Sequence, residues 1–302
     1  MNLLLLGSDS YIGNNFREMY KNEFSIVSIS PKATANRDDI HINDLFNIDD
    51  KYFQNTDIVY NCIGIAHQNN APEELYYKIN YDLAVVFAEK AKKNGVKTFV
   101  QMSTVSVYGN NECIEDSTEE TPLTAYGKSK HQFDKKLLSL QDGDFKVLSV
   151  RPPMVYGESC PGNMQKLVKL VSYIPVLPFK NINNKRDYIY VKNLVYFIGS
   201  AIKQELSGIC LITDNNPVST EELVMKLVAG IRSRKYYFSM PGFLRNLIKI
   251  LLPGYYFKFF SNLAIDISHT VAQLKCPYPL YSLDDGINNM LNLVIEPNQS
   301  LD

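Results

Sequence analysis

The chain has 302 residues, 45% of them hydrophobic and 21% charged, which is enough apolar material for one large domain or two modest ones and too much for a disordered or fibrous protein. Thirty-one Lys and Arg against 32 Asp and Glu leave a formal charge of -1, so no overall basic excess points to nucleic acid. Five dispersed cysteines without a CxxC pair, and four histidines without metal-ligand spacing, argue against a disulfide framework and a structural zinc site.

In chain order, Leu3–Leu6 is a short apolar run closed by Gly7, as expected of a strand buried on both faces of a parallel sheet. No basic leader precedes it, so it does not read as a signal peptide, and no later run approaches the ~20 apolar residues that would span a bilayer. The chain therefore reads as soluble and cytoplasmic. Tyr11–Tyr20 has helical spacing, and further strands are expected at Ser25–Ile29, Ile58–Ile63, Thr98–Met102 and Lys146–Val150. Between them lie helical patterns at Pro72–Asn94, stopped by Gly95, and at Leu123–Leu140. Strands alternating with helices predict an α/β fold with a doubly wound, mostly parallel Rossmann sheet. After residue 157 Pro and Gly become denser and the alternation weakens. That places one domain at 1–157 and a smaller C-terminal substrate-binding domain at 158–302, with 182–212 returning to the first.

Gly7-Ser8-Asp9-Ser10-Tyr11-Ile12-Gly13 lies between the first strand and the first helix. Such a turn aims backbone N–H groups and a helix dipole at an anion, usually a dinucleotide pyrophosphate; the bland alternative is a plain strand–helix turn. The spacing is GxxGxxG with Ser10 in the middle glycine's place, where a hydroxyl could itself donate to phosphate. The second strand ends in Ser28-Ile29-Ser30-Pro31-Lys32, followed by Arg37, and has no acid where a ribose 2′-hydroxyl would be bound. This favours NADP(H), held by Ser30 and Lys32 with Arg37 a lesser contact, over NAD(H).

Tyr126 and Lys130 stand four apart on one face of a predicted helix. A phenol with a pKa of ~10 is a poor acid–base group at neutral pH, and an ammonium one turn away is expected to favour the phenolate. Thr104 follows directly on the strand Phe99–Met102, at a carboxyl end of the sheet where such folds bind ligands. Its hydroxyl could hydrogen-bond a substrate carbonyl while Tyr126 protonates it.

Together these segments resemble the extended short-chain dehydrogenase/reductases of the sugar-nucleotide epimerase/dehydratase type, over nearly the whole chain. The Gly7–Gly13 turn, with Tyr11 and Ile12, is similar to that family's nucleotide loop. Asp44-Leu45 resembles its acid–aliphatic pair at the adenine, Cys62-Ile63-Gly64 the loop after the fourth strand, and Asn80 the helix asparagine. Ser103-Thr104 with Val107-Tyr108-Gly109 aligns Thr104 with the catalytic Ser/Thr, and Tyr126/Lys130 match YxxxK. Pro152 and Pro153 are implied as a wall of the nicotinamide pocket. Asn163 matches the asparagine beside the nucleotide diphosphate, and Arg186, in Arg186-Asp187-Tyr188-Ile189, the arginine that grips it, a role suited to a guanidinium fork.

Dehydratases of this family carry Asp-Glu after the catalytic Thr; here Val105 and Ser106 follow Thr104, which excludes that proton chemistry and leaves Ser106 as a substrate contact. The missing acid after the second strand fits an exchangeable NADPH. Gly64-Ile65-Ala66-His67, whose His67 is expected to line the sugar pocket, resembles a bacterial subgroup of 4-ketoreductases serving surface-polysaccharide synthesis. So does Arg151-Pro152-Pro153-Met154-Val155-Tyr156-Gly157, with Met154 where many 4-epimerases carry Asn. The resemblance then implies NADPH-dependent reduction of a UDP-linked 4-keto-6-deoxy-N-acetylhexosamine to UDP-N-acetylquinovosamine or UDP-N-acetylfucosamine. The alternative is an NAD-dependent UDP-sugar 4-epimerase; a non-catalytic cofactor-binding protein is disfavoured because Thr104, Tyr126 and Lys130 are all present. The stretch Tyr236–Phe260, where Arg245, Lys249 and Lys258 interleave with apolar residues, reads as helices packed over the substrate domain or as a homodimer contact, with an interfacial membrane segment as the alternative.

Overall fold

A computed structural model describes residues 1–32, 36, 38–66, 71–231 and 234–295, with side chains as far as residue 291. Arg37 and His67, both expected near the ligands, lie outside the described residues.

The first half of the chain alternates as expected: β1 (Asn2–Leu6), α1 (Tyr11–Tyr20), β2 (Ser25–Ser30), the short β3 (Asp39–His41), then β4 (Ile58–Asn61). The predicted helix at Pro72–Asn94 is one continuous rod in three parts, α2 (Glu73–Tyr77), a π-helical turn at Lys78–Asp82, and α3 (Leu83–Lys93). It is followed by β5 (Thr98–Met102), β6 (Cys113–Ile114), α4 (Ala125–Leu140) and β7 (Lys146–Arg151). The second half holds β8 (Met154–Tyr156), α5 (Asn163–Tyr173), β9 (Val176–Lys180), β10 (Tyr188–Tyr190), α6 (Val191–Lys203), β11 (Gly208–Leu211) and α7 (Thr220–Gly230). It ends with β12 (Tyr236–Ser239), α8 (Gly242–Leu251), α9 (Pro253–Phe260), β13 (Ala264–Ile265), α10 (Ser268–Ala272) and α11 (Leu283–Ile295).

Among the described residues, seven strands form one parallel sheet in the order β11-β7-β5-β4-β1-β2-β3. The four leucines of β1 show why its sequence is a continuous apolar run rather than an alternating one. Leu3 and Leu5 enter one core with Phe16, Tyr20 and Phe197 of α1 and α6; Leu4 and Leu6 enter the other with Phe87 and Phe133 of α3 and α4. From β1 the order runs outward to β2 on one side and to β4 on the other. The crevice at the carboxyl ends of β1 and β4 is thus a topological switch point, where open α/β sheets bind ligands.

The second half builds three small two-stranded parallel sheets, β8–β10, β9–β12 and β6–β13. It also sends α6, buried through most of its length, and β11 back to the main sheet beside β7. Pro253 in the first turn of α9 and Pro241 just before α8 divide the Tyr236–Phe260 stretch into a strand and two helices.

Candidate active site

The turn after β1 is shaped by its glycines. Gly7 has φ +88°, a region L side chains rarely adopt, and a Cβ on Gly13 would stand 2.3 Å from the Gly7 carbonyl oxygen. The first turn of α1 therefore lies directly against the loop, and a helix N-terminus leaves backbone N–H groups without intrahelical partners there. Ser10 is the N-cap, its Oγ accepting from the Gly13 N–H at 3.0 Å, and it also hydrogen-bonds the Cys62 thiol, whose pKa burial pushes up to about 12. The hydroxyl expected to serve phosphate is thus already used to hold the turn to the loop after β4. Ser8 Oγ and the Tyr11 hydroxyl are buried without a hydrogen-bond partner, and the place of a Gly157 Cβ lies 2.6 Å from that Tyr11 hydroxyl. A glycine cradle, a helix N-terminus and an orphaned buried hydroxyl fit a dinucleotide.

Asn80, fully buried, fixes the loop after β4: its Oδ1 accepts from the Ile65 N–H at 2.9 Å, and its Nδ2 donates to the Ile65 carbonyl at 3.0 Å and to Ser129 Oγ at 3.1 Å. At Gly64 a Cβ would stand 3.0 Å from both Asn80 Oδ1 and Lys130 Nζ, so the absence of a side chain there makes room for the lysine. Ile63 is buried beneath this loop. Leu45 is buried too, while Asp44 is exposed and caps a short turn, accepting from the Phe46 N–H at 3.1 Å and from Asn47 Nδ2 at 2.7 Å. Ser30 requires a correction. Its side chain is fully buried, and its hydroxyl donates to the Lys32 carbonyl at 2.6 Å while accepting from the Lys32 N–H at 3.1 Å, which leaves no hydrogen for a 2′-phosphate. Lys32 is exposed.

At the carboxyl ends of β4 and β5 lies a cleft of about 190 Å³ lined by Ile12, Cys62, Gly64, Ile65, Ala66, Met102, Ser103, Thr104, Tyr126, Lys130, Pro152, Pro153 and Val155. The three candidate catalytic side chains thus converge from β5 and α4. Thr104 is buried; its Oγ1 accepts from the Ser106 N–H at 3.1 Å, donates to Ser106 Oγ at 3.2 Å, and shares a side-chain hydrogen bond with the Tyr126 phenol. The Lys130 ammonium is buried and donates to the Met102 carbonyl at 2.8 Å.

The electrostatics differ from the expectation that Lys130 lowers the phenol's pKa. Loss of solvent pushes Tyr126 up to about 12, and the opposing influence is the Thr104 hydrogen bond. The lysine is itself driven down to about 8 by burial, against the nearby Asp134 carboxylate. Both charged forms lose hydration in this cleft, and that is the largest influence on each. A cation bound in the cleft would act on the phenol in the opposite direction, favouring the phenolate.

Below the cleft lies a network that sequence reasoning missed. The buried Asp134 carboxylate accepts from Ser103 Oγ at 2.8 Å, Ser149 Oγ at 2.7 Å and Arg151 Nε at 3.0 Å. Arg151, also buried, donates onward to the Tyr108 hydroxyl at 2.7 Å and to Glu120 at 3.0 Å. The network ties α4 to β5 and β7. Asp134 stands four residues after Lys130 and eight after Tyr126, and that helical face was the available signal.

Asn163 and Arg186 do not line the cleft. Asn163 opens α5, half-buried. Arg186 is buried, with NH1 donating to the carbonyls of Phe257 at 2.8 Å and Ser261 at 2.7 Å and with Nε lacking a hydrogen-bond partner. Lys258 of α9 is a further cation on this side of the molecule; burial and the charge of Lys166 on α5 push its pKa down.

Fold and site together define a doubly wound α/β protein with a glycine-shaped crevice and a Thr–Tyr–Lys cluster at its switch point. The chain belongs to the NAD dependent epimerase/dehydratase family, whose sequence profile matches residues 3–209. It is 27% identical to the UDP-glucose 4-epimerase of Vibrio cholerae, over 98% of this chain and 96% of that protein. It is 24% identical to the N-acetyl-alpha-D-glucosaminyl-diphospho-ditrans,octacis-undecaprenol 4-epimerase of Escherichia coli O157:H7, over 87% and 80% respectively. The fold is shared with the UDP-N-acetylglucosamine 4-epimerase of Methanobrevibacter ruminantium M1, at a TM-score of 0.80 with 16% identity and 98% of each chain covered. It is shared also with the UDP-glucuronic acid 4-epimerase of Bacillus cereus solved with NAD, at a TM-score of 0.78 with 19% identity, covering 98% of this chain and 99% of that one.

Proposed function

We propose that this protein is a nicotinamide-dependent 4-epimerase acting on a UDP-linked hexose or N-acetylhexosamine, in place of the 4-ketoreductase expected from sequence. The observation that carries the reading is the convergence of Thr104, Tyr126 and Lys130 on one cleft beside the glycine turn. Its support from the comparisons is that the two relatives above, aligned over most of this chain, are both named 4-epimerases.

The dinucleotide would be held by the Gly7–Gly13 turn and the N-terminus of α1, by the loop after β4 that Asn80 clamps, and by Lys130; the family is NAD dependent by description, and Ser30 offers no support for a 2′-phosphate. When bound, that cofactor supplies a two-electron acceptor and donor. The protein's own part is proton transfer and positioning. Tyr126 takes the proton of the sugar's C4 hydroxyl as the ketone forms and returns one when C4 is reduced on its other face, so the net reaction is redox neutral. Thr104, held by the Ser106 N–H, would turn its one hydroxyl hydrogen from Ser106 Oγ to the same oxygen when the sugar is bound. Lys130 contributes a positive charge near the phenol in a water-poor cleft, where such a charge acts with little screening. Among the described residues no carboxylate lines the cleft, and the position after Thr104 is the buried Val105, so the groups needed to eliminate water are missing. Asn163, Arg186 and Lys258 would serve the diphosphate.

Incubating the protein with UDP-glucose and with UDP-N-acetylglucosamine, and resolving products by NMR, tests this. The reading expects the galacto epimers without net cofactor consumption. Stoichiometric NADPH oxidation with a UDP-4-keto-6-deoxy-N-acetylhexosamine, and no epimerisation of either substrate, would return the assignment to a 4-ketoreductase.

A further inference from the structure

In α8 the apolar residues Phe243, Leu244, Leu247, Ile250 and Leu251 recur on one helical face, with Arg245, Asn246 and Lys249 on the other. A helix of this kind ordinarily buries its apolar face against a core. Here no residue of α8 or α9 is buried, and Phe243, Ile250 and Leu251 are 71%, 75% and 66% exposed. The surface continues through Leu252 and Tyr255 and back along β12, paired with β9, to Tyr236, Phe238, Val176, Ile174 and Tyr173, all exposed. So many adjacent exposed apolar side chains mark a contact surface rather than ordinary exterior.

Charge identifies what it contacts. The segments 159–186 and 223–265, which carry this surface, contain twelve of the chain's 31 Lys and Arg and none of its 32 Asp and Glu. The rest of the chain is correspondingly acidic, so the near-neutral total conceals a strong asymmetry. Of these cations Lys226 is paired with Asp284, and Glu221 borders β9 at Asn181; on α8 itself Arg245 and Lys249 have no acid beside them in the sequence, so a second copy docking there about a two-fold axis would bring like charges together. An anionic bilayer surface satisfies both features: acyl chains accept the apolar face, and headgroup phosphates accept Arg245, Lys249 and their neighbours. Among the described residues no helix is long and apolar enough to cross a membrane.

We propose that the α8–α9 pair and the adjoining β9–β12 edge form a peripheral docking surface for anionic lipid bilayers. This inference does not depend on the epimerase reading. The surface lies beyond the main sheet, on the substrate side of the molecule, where α9 accepts the Arg186 hydrogen bond at Phe257.

The test is flotation of the purified full chain with vesicles of phosphatidylethanolamine and phosphatidylglycerol, and with vesicles of phosphatidylcholine alone, at low and high salt. The protein is expected to float with the anionic vesicles and to be released by salt. A chain with Ile250→Ser and Leu251→Ser, which changes exposed positions only, is expected to lose binding at least about tenfold at an unchanged melting temperature. Arg245→Gln with Lys249→Gln should weaken binding by about tenfold or more through the electrostatic part. No flotation would overturn the proposal, as would equal, salt-insensitive binding to both vesicle types. So would a dimer, seen by sedimentation without vesicle binding, that Ile250→Ser and Leu251→Ser dissociate.

Discussion

Gly13 offers the sharpest test of how the crevice is built. Replacing it with alanine would place a Cβ 2.3 Å from the Gly7 carbonyl oxygen and 2.9 Å from Ser10 Oγ, where ordinary contact requires about 3.5 Å, so something must move by about 1 Å. Helix α1 cannot easily retreat, because Phe16 and Tyr20 anchor it in the core. The turn must therefore yield, and with it the Ser10 cap on the Gly13 N–H. Losing the cap costs about 1 kcal/mol and overpacking about 1–3 kcal/mol. Combined, about 2–4 kcal/mol lowers the melting temperature by about 3–6 °C for a chain of 302 residues. Amides displaced from the crevice should weaken dinucleotide binding about 10- to 100-fold. Calorimetric titration with NAD and with NADP, alongside thermal denaturation, reads both effects. Gly143→Ala is the control, since a Cβ there meets nothing within 4 Å. If Gly13→Ala matched Gly143→Ala in both stability and dinucleotide affinity, the argument from close packing would be wrong.

Tyr126→Phe keeps the ring and removes the proton carrier; turnover should fall about 10²- to 10⁴-fold while dinucleotide affinity, measured by titration, stays within a factor of two or so. Lys130 binds its proton less tightly in the folded chain, at about 8 against an ordinary 10.5, so the unfolded state carries more protons between those values and stability rises with pH across that window. Denaturant midpoints of Lys130→Met should lack that rise, and an identical pH profile for the two proteins would refute the assignment. Asp134→Ala would leave the buried Arg151 guanidinium with Glu120 as its remaining carboxylate and remove the acceptor of two buried hydroxyls; a loss of about 3 kcal/mol in urea denaturation is expected, and a loss below about 1 kcal/mol would show that the network is not what holds α4 to the sheet.

Much of this architecture was legible because long, buried elements advertise themselves. The strand at Thr98–Met102 and the helix at Tyr11–Tyr20 coincide with β5 and α1 to the residue, since Gly95 closes the helix before the one and the Gly7 turn opens the other. The short strands β3, β8, β10 and β12 were not anticipated: each spans three or four residues, too few for any periodicity to show. At the site, the spacing of Tyr126 and Lys130 and the place of Thr104 after a strand brought three side chains to one cleft, because helical periodicity and the carboxyl ends of strands are local properties. Sequence could not show how the hydroxyls are already used. Ser10 and Ser30 both spend their side chains on neighbouring backbone, and the phenol and amine respond to desolvation, which depends on everything packed around them. The apolar spacing of Tyr236–Phe260 predicts helices packed over the substrate domain or a subunit contact, with an interfacial segment as the alternative; the structure shows two helices whose residues are not buried within the chain.

The central claim is that one cleft oxidises and re-reduces the same sugar carbon. A UDP-hexose or UDP-N-acetylhexosamine deuterated at C4, incubated with the protein and examined by mass spectrometry and NMR, tests it directly. The account predicts an epimer that keeps its deuterium at C4 with no net change in cofactor redox state. An epimer that had exchanged the label for solvent hydrogen, or a label recovered only in released reduced cofactor, would contradict it.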